Sequence, residues 1–180
     1  MTQASPQIGP LGSSFEVPSH AQHTLARLIE KADFGRVHFF ISEAVDADAI
    51  DAPTPAGDTL KLALLDYTHP LDAIDDALFE HIDDADIQPA TLRDLLCFAI
   101  AHPGAQLEHE ILATGTMRTR HVYGAERKGE TTWAHTNRDR SICQWVTGLT
   151  HTGKRRELIP MEIYLKDLLR QPAKVLVRMS

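Results

Sequence analysis

Residues 107–124 read LEHEILATGTMRTRHVYG, and this stretch decides the fold class. From Gln106 onward the apolar period becomes two, the period of a strand whose side chains alternate between faces. On MRTRH, Arg118 and Arg120 share one face, and Met117, Thr119 and His121 take the other. If the Met117 face is buried, both arginines point outward. Similar runs follow: ETTWAHTN (130–137), RSICQWVTGLTHTG (140–153) and RRELIPMEIYL (155–165). Polar turns AERKG, NRDR and TGKR separate them. Short strands joined by short turns imply an antiparallel meander. PMEIYLKDLLRQP (160–172) is expected to hold a helix and AKVLVRM (173–179) a last strand.

Upstream, the period is mostly helical. In SHAQHTLARLIEKADFG (19–35) Ser19 is expected to cap a helix and Gly35 to end it. Leu25, Leu28, Ile29 and Ala32 form its apolar face. RVHFFISEAV (36–45) alternates like a strand, with TLKLALLDY (59–67) as its hairpin partner. In PLDAIDDALFEHIDDAD (70–86), Leu71, Ile74, Leu78 and Ile82 make one stripe, opposite an acidic face of Asp72, Asp75, Asp76, Glu80 and Asp83. QPATLRDLLCFAIAHPG (88–104) offers Pro89 for a first turn and a Thr91–Asp94 capping box. Its apolar positions nearly encircle it, as in a central buried helix. Residues 1–18, rich in proline, glycine and serine, are expected to form a flexible arm. The expected fold is a single α+β domain over 19–180. Its antiparallel sheet comes mostly from the C-terminal half and packs on two or three helices.

The chain of 180 residues is 43% hydrophobic, enough to fold without metal or disulfide staples. No apolar run approaches the roughly 20 residues that span a membrane. The N-terminus lacks the basic and apolar regions of a secretory signal. Cys97 lies in the apolar run LLCFAIA and Cys143 in SICQW. Both fit a reducing cytoplasm without a disulfide.

The net charge of −7 hides a polarity. Residues 1–110 carry 19 acidic and 5 basic side chains, a net −14, and residues 111–180 carry 6 and 13, a net +7. Either the halves attract each other within the fold, or the basic part meets an external polyanion.

Catalytic and cofactor motifs fail on their physics. GLTHTGKR (148–155) matches a phosphate loop at Gly148, Gly153 and Lys154. However, Arg155 stands where a hydroxyl should hold Mg²⁺, and Pro160 cuts the helix that should follow. Asp46, Asp48 and Asp51, and likewise Asp83, Asp84 and Asp86, lack the glycine and glutamate of a calcium loop. Neither a G-x-S-x-G elbow nor an HExxH or CxxC is present. His20 and His23 have helical i, i+3 spacing. His135, Asp139 and His151 are the residues that a metal-dependent hydrolase or nuclease would use.

What remains is the basic set Arg118, Arg120, Arg127, Lys128, Arg138, Arg140, Lys154, Arg155 and Arg156, with Trp133 and Tyr123 as stacking aromatics. The expectation is a non-enzymatic binding or assembly protein without a cofactor. Its two surfaces would be the acidic helix face and the basic hairpins, facing a protein partner or a second copy. A sequence-tolerant nucleic-acid binder using the same basic surface is the alternative.

Overall fold

The computed structural model describes residues 8–46, 57–67, 87–122, 141–162 and 173–179. Along the chain they form β1 (Ile8–Pro18), α1 (Leu25–Ala32), β2 (Arg36–Val37), α2 (Phe39–Asp46), β3 (Thr59–Tyr67) and β4 (Ile87–Pro89). Then come α3 (Leu92–Ala101), a 3-10 turn (Ala105–Leu107), β5 (Glu110–Val122), β6 (Ser141–Thr152), β7 (Arg155–Glu162) and β8 (Ala173–Met179). The class is α+β, with three α-helices among the described residues. The acidic stripe 72–83, the expected strand 130–137 and most of the expected helix 160–172 lie outside those residues. None of the described helices is long and apolar enough to cross a membrane.

The eight strands form one sheet in the order β1-β3-β8-β5-β6-β7-β2, with β4 on β8. The β5-β6-β7 meander is antiparallel as expected. The whole sheet, however, is mixed, because β5–β8 and β2–β7 are parallel. The last strand enters the middle of the sheet, antiparallel to β3 on one side and parallel to β5 on the other. Its composition fits that place. Ala173, Val175, Leu176 and Val177 are all buried, the near-continuous apolar run of a strand covered on both faces.

The N-terminal half contributes more strand than its composition suggests. Ile8–Pro18, read above as part of an arm, is an 11-residue strand paired with β3. Phe15 and Val17 alternate with Ser14 and Glu16 and face the helices, where Val17 is fully buried. Two apolar residues on one face outweigh the surrounding prolines and serines. Conversely, 36–45 is a strand only at Arg36–Val37, and Phe39–Asp46 is helical. Ile41, Ala44 and Val45 meet the core at helical spacing, which overrides the β preference of the two phenylalanines. β3 therefore pairs with β1 and β8, not with 36–45.

Helix boundaries also move. Thr24, not Ser19, caps α1, accepting from Arg27 N, and α1 stops at Asp33 in the left-handed region (φ 50°) before Gly35 is reached. The expected apolar face holds: Leu28 and Ala32 are buried, and Leu25 and Ile29 pack against them. Pro89 ends β4 instead of opening α3, whose cap is Thr91 with the expected capping box to Asp94. Leu92 through Ala99 are all buried, so α3 is the central helix. Each large apolar side chain it removes from water contributes about 1.5–3 kcal/mol.

Gly115 fixes how α3 meets the sheet. Between the pairs Ala113↔Thr147 and Arg118↔Trp145, β5 bulges away from regular pairing. There Gly115 N donates to Ala90 O at 2.8 Å, and Thr116 Oγ1 accepts from Leu92 N at 2.7 Å. A Cβ on Gly115 would lie 2.5 Å from Pro89 O and 2.9 Å from Ala90 O. Backbone atoms cannot swing aside, so Gly115→Ala should cost about 2 kcal/mol. The check is a lower urea midpoint at unchanged slope.

Candidate functional site

The meander sets Arg118 and Arg120 toward one end of β6 and Lys154, Arg155 and Arg156 at the other. Arg118 and Arg120 lie near the end of β5, in register with Trp145 and Cys143, and their side chains fall outside the described residues. Arg127, Lys128, Trp133, Arg138 and Arg140 lie outside them too, in a segment whose ends are the paired residues Val122 and Ser141. Lys154, Arg155 and Arg156 belong to the β6–β7 turn. The 12 residues of β6 lie between, a span of roughly 36 Å at 3.3 Å per residue. Successive turns of a meander alternate ends, so among the described residues these cations do not share one end of the ladder.

At the β6–β7 turn, Thr152 pairs with Arg155 across the two-residue loop Gly153–Lys154. Gly153 supplies the positive φ (62°) that tight hairpins require. Gly148 sits inside β6, where a Cβ would meet Met161 Sδ at 2.8 Å. The phosphate-loop resemblance is thus a strand followed by a hairpin turn, as its failed motif implied.

The two arginines after this turn bond the fold itself. Arg155 aims Nε and Nη2 at Gly35 O, at 3.0 and 2.7 Å. Arg156 reaches further inward. Its Nη1 donates to Ala32 O at 2.7 Å, its Nη2 to Ala99 O at 3.0 Å and its Nε to Gln106 Oε1 at 3.2 Å. Its guanidinium also stacks over Phe34, 5.2 Å from the ring centre. Ala32 and Ala99 lie in the last turns of α1 and α3, whose carbonyls lack intrahelical donors. One planar fork therefore caps two helices and ties both to β7. Lys154 is exposed in this turn, as is Arg155.

His151 stands on β6 opposite Arg156, and its Nδ1 lies 2.9 Å from Gly153 O. His135 and Asp139 lie outside the described residues. The chain coming from them enters the sheet at Ser141, ten residues along β6 from His151, or roughly 33 Å. His20 and His23 do approach, with rings 5.7 Å apart, but Lys31 Nζ lies 3.0 Å from His23 Nε2. Burial, then Lys31, then His23 holds His20 below the usual histidine range. A lysine ammonium beside the pair opposes a metal cation. Among the described residues no group of three or more His, Cys, Asp or Glu side chains could hold a metal.

Other buried ionisable groups have structural partners. Asp94, fully buried, accepts from Thr91 N at 2.8 Å and from Thr91 Oγ1 at 2.9 Å through Oδ2. Its Oδ1 meets Arg178 Nη2 at 2.5 Å. Cys97 is a free, buried thiol whose Sγ lies 3.2 Å from Ser19 O. Burial, reinforced by the Asp94 carboxylate, pushes it up to about 12, so it is no nucleophile at neutral pH. The sequence marked Arg156 only as a cation. Nothing local in GKRR distinguishes a helix-capping arginine from a surface one.

Comparison of the chain with protein-family models, with curated proteins and with solved structures finds no match.

Proposed function

We propose that this chain is a non-enzymatic binding or assembly protein that engages a protein partner, or a second copy, through opposite charges. The basic surface is that of Arg118, Arg120, Arg127, Lys128, Arg138 and Arg140, with Trp133 as its aromatic anchor. The acidic surface is that of Asp72, Asp75, Asp76, Glu80 and Asp83. The observation that supports this reading is the register pair Val122↔Ser141. It holds both ends of the 123–140 segment at the same end of the ladder as Arg118 and Arg120. At the other end of β6, Arg155 and Arg156 serve helix α1 and its neighbours. The binding surface is accordingly narrower than the nine cations of the sequence reading.

The chain's strong charge polarity suits an electrostatically steered contact. Its overall acidity, with a sequence pI near 5.8, opposes a nucleic-acid polyanion at long range. The test sets light scattering of the protein beside polarisation titrations of labelled single- and double-stranded DNA and RNA, at low and moderate salt. The expected result is self-association that weakens as salt rises, with no nucleic-acid binding. A monomer at every concentration that binds nucleic acid with a steep salt slope would replace this reading with the nucleic-acid one.

A further inference from the structure

The two edges of the sheet are not alike. At one edge β2 covers only Glu157 and Leu158 of β7. His38 N donates to Leu158 O at 2.9 Å, so Leu158 directs its backbone outward. By strand alternation Pro160 does the same, and proline has no N–H to offer there. This is how natural sheets blunt an edge. At the other edge stands β1, unpaired on its outer side among the described residues. Gly12, Ser13, Ser14 and Glu16 are exposed along it.

The register of β1 shows which backbone groups face outward. Ser19 N donates to Asp58 O at 2.8 Å, continuing the ladder in which Pro18 faces Thr59 and Val17 faces Leu60. Residues 15, 17 and 19 therefore turn their backbone polar groups toward β3. Ser14 and Glu16 turn theirs outward, and Pro18 adds a carbonyl without a donor. Two donors thus stand two residues apart, on a regular stretch beyond the irregularities that precede Ser14.

We infer that β1 pairs with β1 of a second copy of this chain, antiparallel about a two-fold axis at Phe15. In this register Ser14 of each copy faces Glu16 of the other. All four outward N–H groups then find a carbonyl, as an isologous interface requires. Charge is compatible. Glu16 is the acidic side chain of this stretch, and it meets a serine across the axis while Lys61 stands opposite it on β3. Phe15 is half-buried, its ring 5.2 Å from Phe98 and 4.9 Å from His102. At the axis its remaining surface meets the second Phe15, an aromatic cross-strand pair. A foreign strand would satisfy the same backbone, but the two-fold match of Phe15 and the Ser14–Glu16 alternation belong to this sequence.

The test is Ser14→Pro in the full chain, with Ser14→Ala as control, read by sedimentation at high salt. High salt suppresses the charge contacts proposed above, so the two associations fail independently. Ser14→Pro deletes one outward donor per copy and leaves the β1–β3 ladder intact. It should weaken the dimer roughly ten- to a hundredfold, while thermal unfolding and circular dichroism match those of Ser14→Ala. A mixture of Ser14→Cys and Glu16→Cys chains should form an intermolecular disulfide that Ser14→Cys alone does not, which holds even if Ser14→Pro perturbs folding. A wild-type chain that stays monomeric at high salt, or a Ser14→Pro dimer as tight as wild type, overturns the inference.

Discussion

Asp94→Ala is expected to cost about 3–5 kcal/mol of stability, since removing one partner of a buried ion pair strands the other. The carboxylate is fully buried and makes three contacts. Two go to Thr91 and complete the capping box of α3, and one goes to Arg178 on β8. Its loss opens the N-terminus of the central helix and leaves Arg178, half-buried beneath it, without its counter-ion. Asn at position 94 keeps an acceptor for Thr91 N but not the charge, so Asp94→Asn should fall between wild type and Ala. Urea unfolding followed by circular dichroism reads the difference. A cost below about 1 kcal/mol for Asp94→Ala would mean that Thr91 and Thr116 alone hold the helix start.

Arg156→Ala comes next, at about 3 kcal/mol. Hydrogen bonds from a charged donor contribute about 1.5–3 kcal/mol each when buried, and the partial exposure of this side chain reduces each to about 1 kcal/mol. Three of them end here, on Ala32 O, Ala99 O and Gln106 Oε1. In a chain of this length the melting temperature should drop by about 9 °C. Arg156→Lys keeps the charge but offers no planar fork, so it should recover less than half of the loss. Rescue by lysine to wild-type stability would show that charge near the helix ends matters and the double cap does not.

These two residues also show what the sequence made legible. Thr91 and Asp94 were readable because a capping box is local: spacing and chemistry lie within four residues. The meander was readable for the same reason, since alternation and turn residues sit side by side in the chain. The position of β8 was not. A strand's neighbours are set by contacts across the whole chain: the apolar run of AKVLVRM suits a central strand but does not name β3 and β5 as its neighbours. Residues 36–45 misled because Phe39 and Phe40 favour strands, whereas Ile41, Ala44 and Val45 obtain burial only as a helix. Residues 8–18 misled because edge strands tolerate prolines and serines that resemble an arm.

The candidate site was legible as a list of cations and not as a surface. Charge is visible in sequence, but the partner of a charge is not. Arg155 finds its acceptor 120 residues away at Gly35, and Arg156 finds one 124 residues away at Ala32. Both look like the solvated arginines of any hairpin until α1 is placed beside the turn.

Reciprocal charge reversal tests the proposal that opposite charges on this chain hold copies or partners together. One variant carries Arg138→Glu and Arg140→Glu, the other Asp75→Lys and Asp76→Lys, and light scattering at low salt follows each alone and the two mixed. Each variant alone should associate less than wild type and the equimolar mixture should recover association, because the reversed surfaces complement each other. Variants that associate as wild type does, or a mixture no larger than its components, would contradict it.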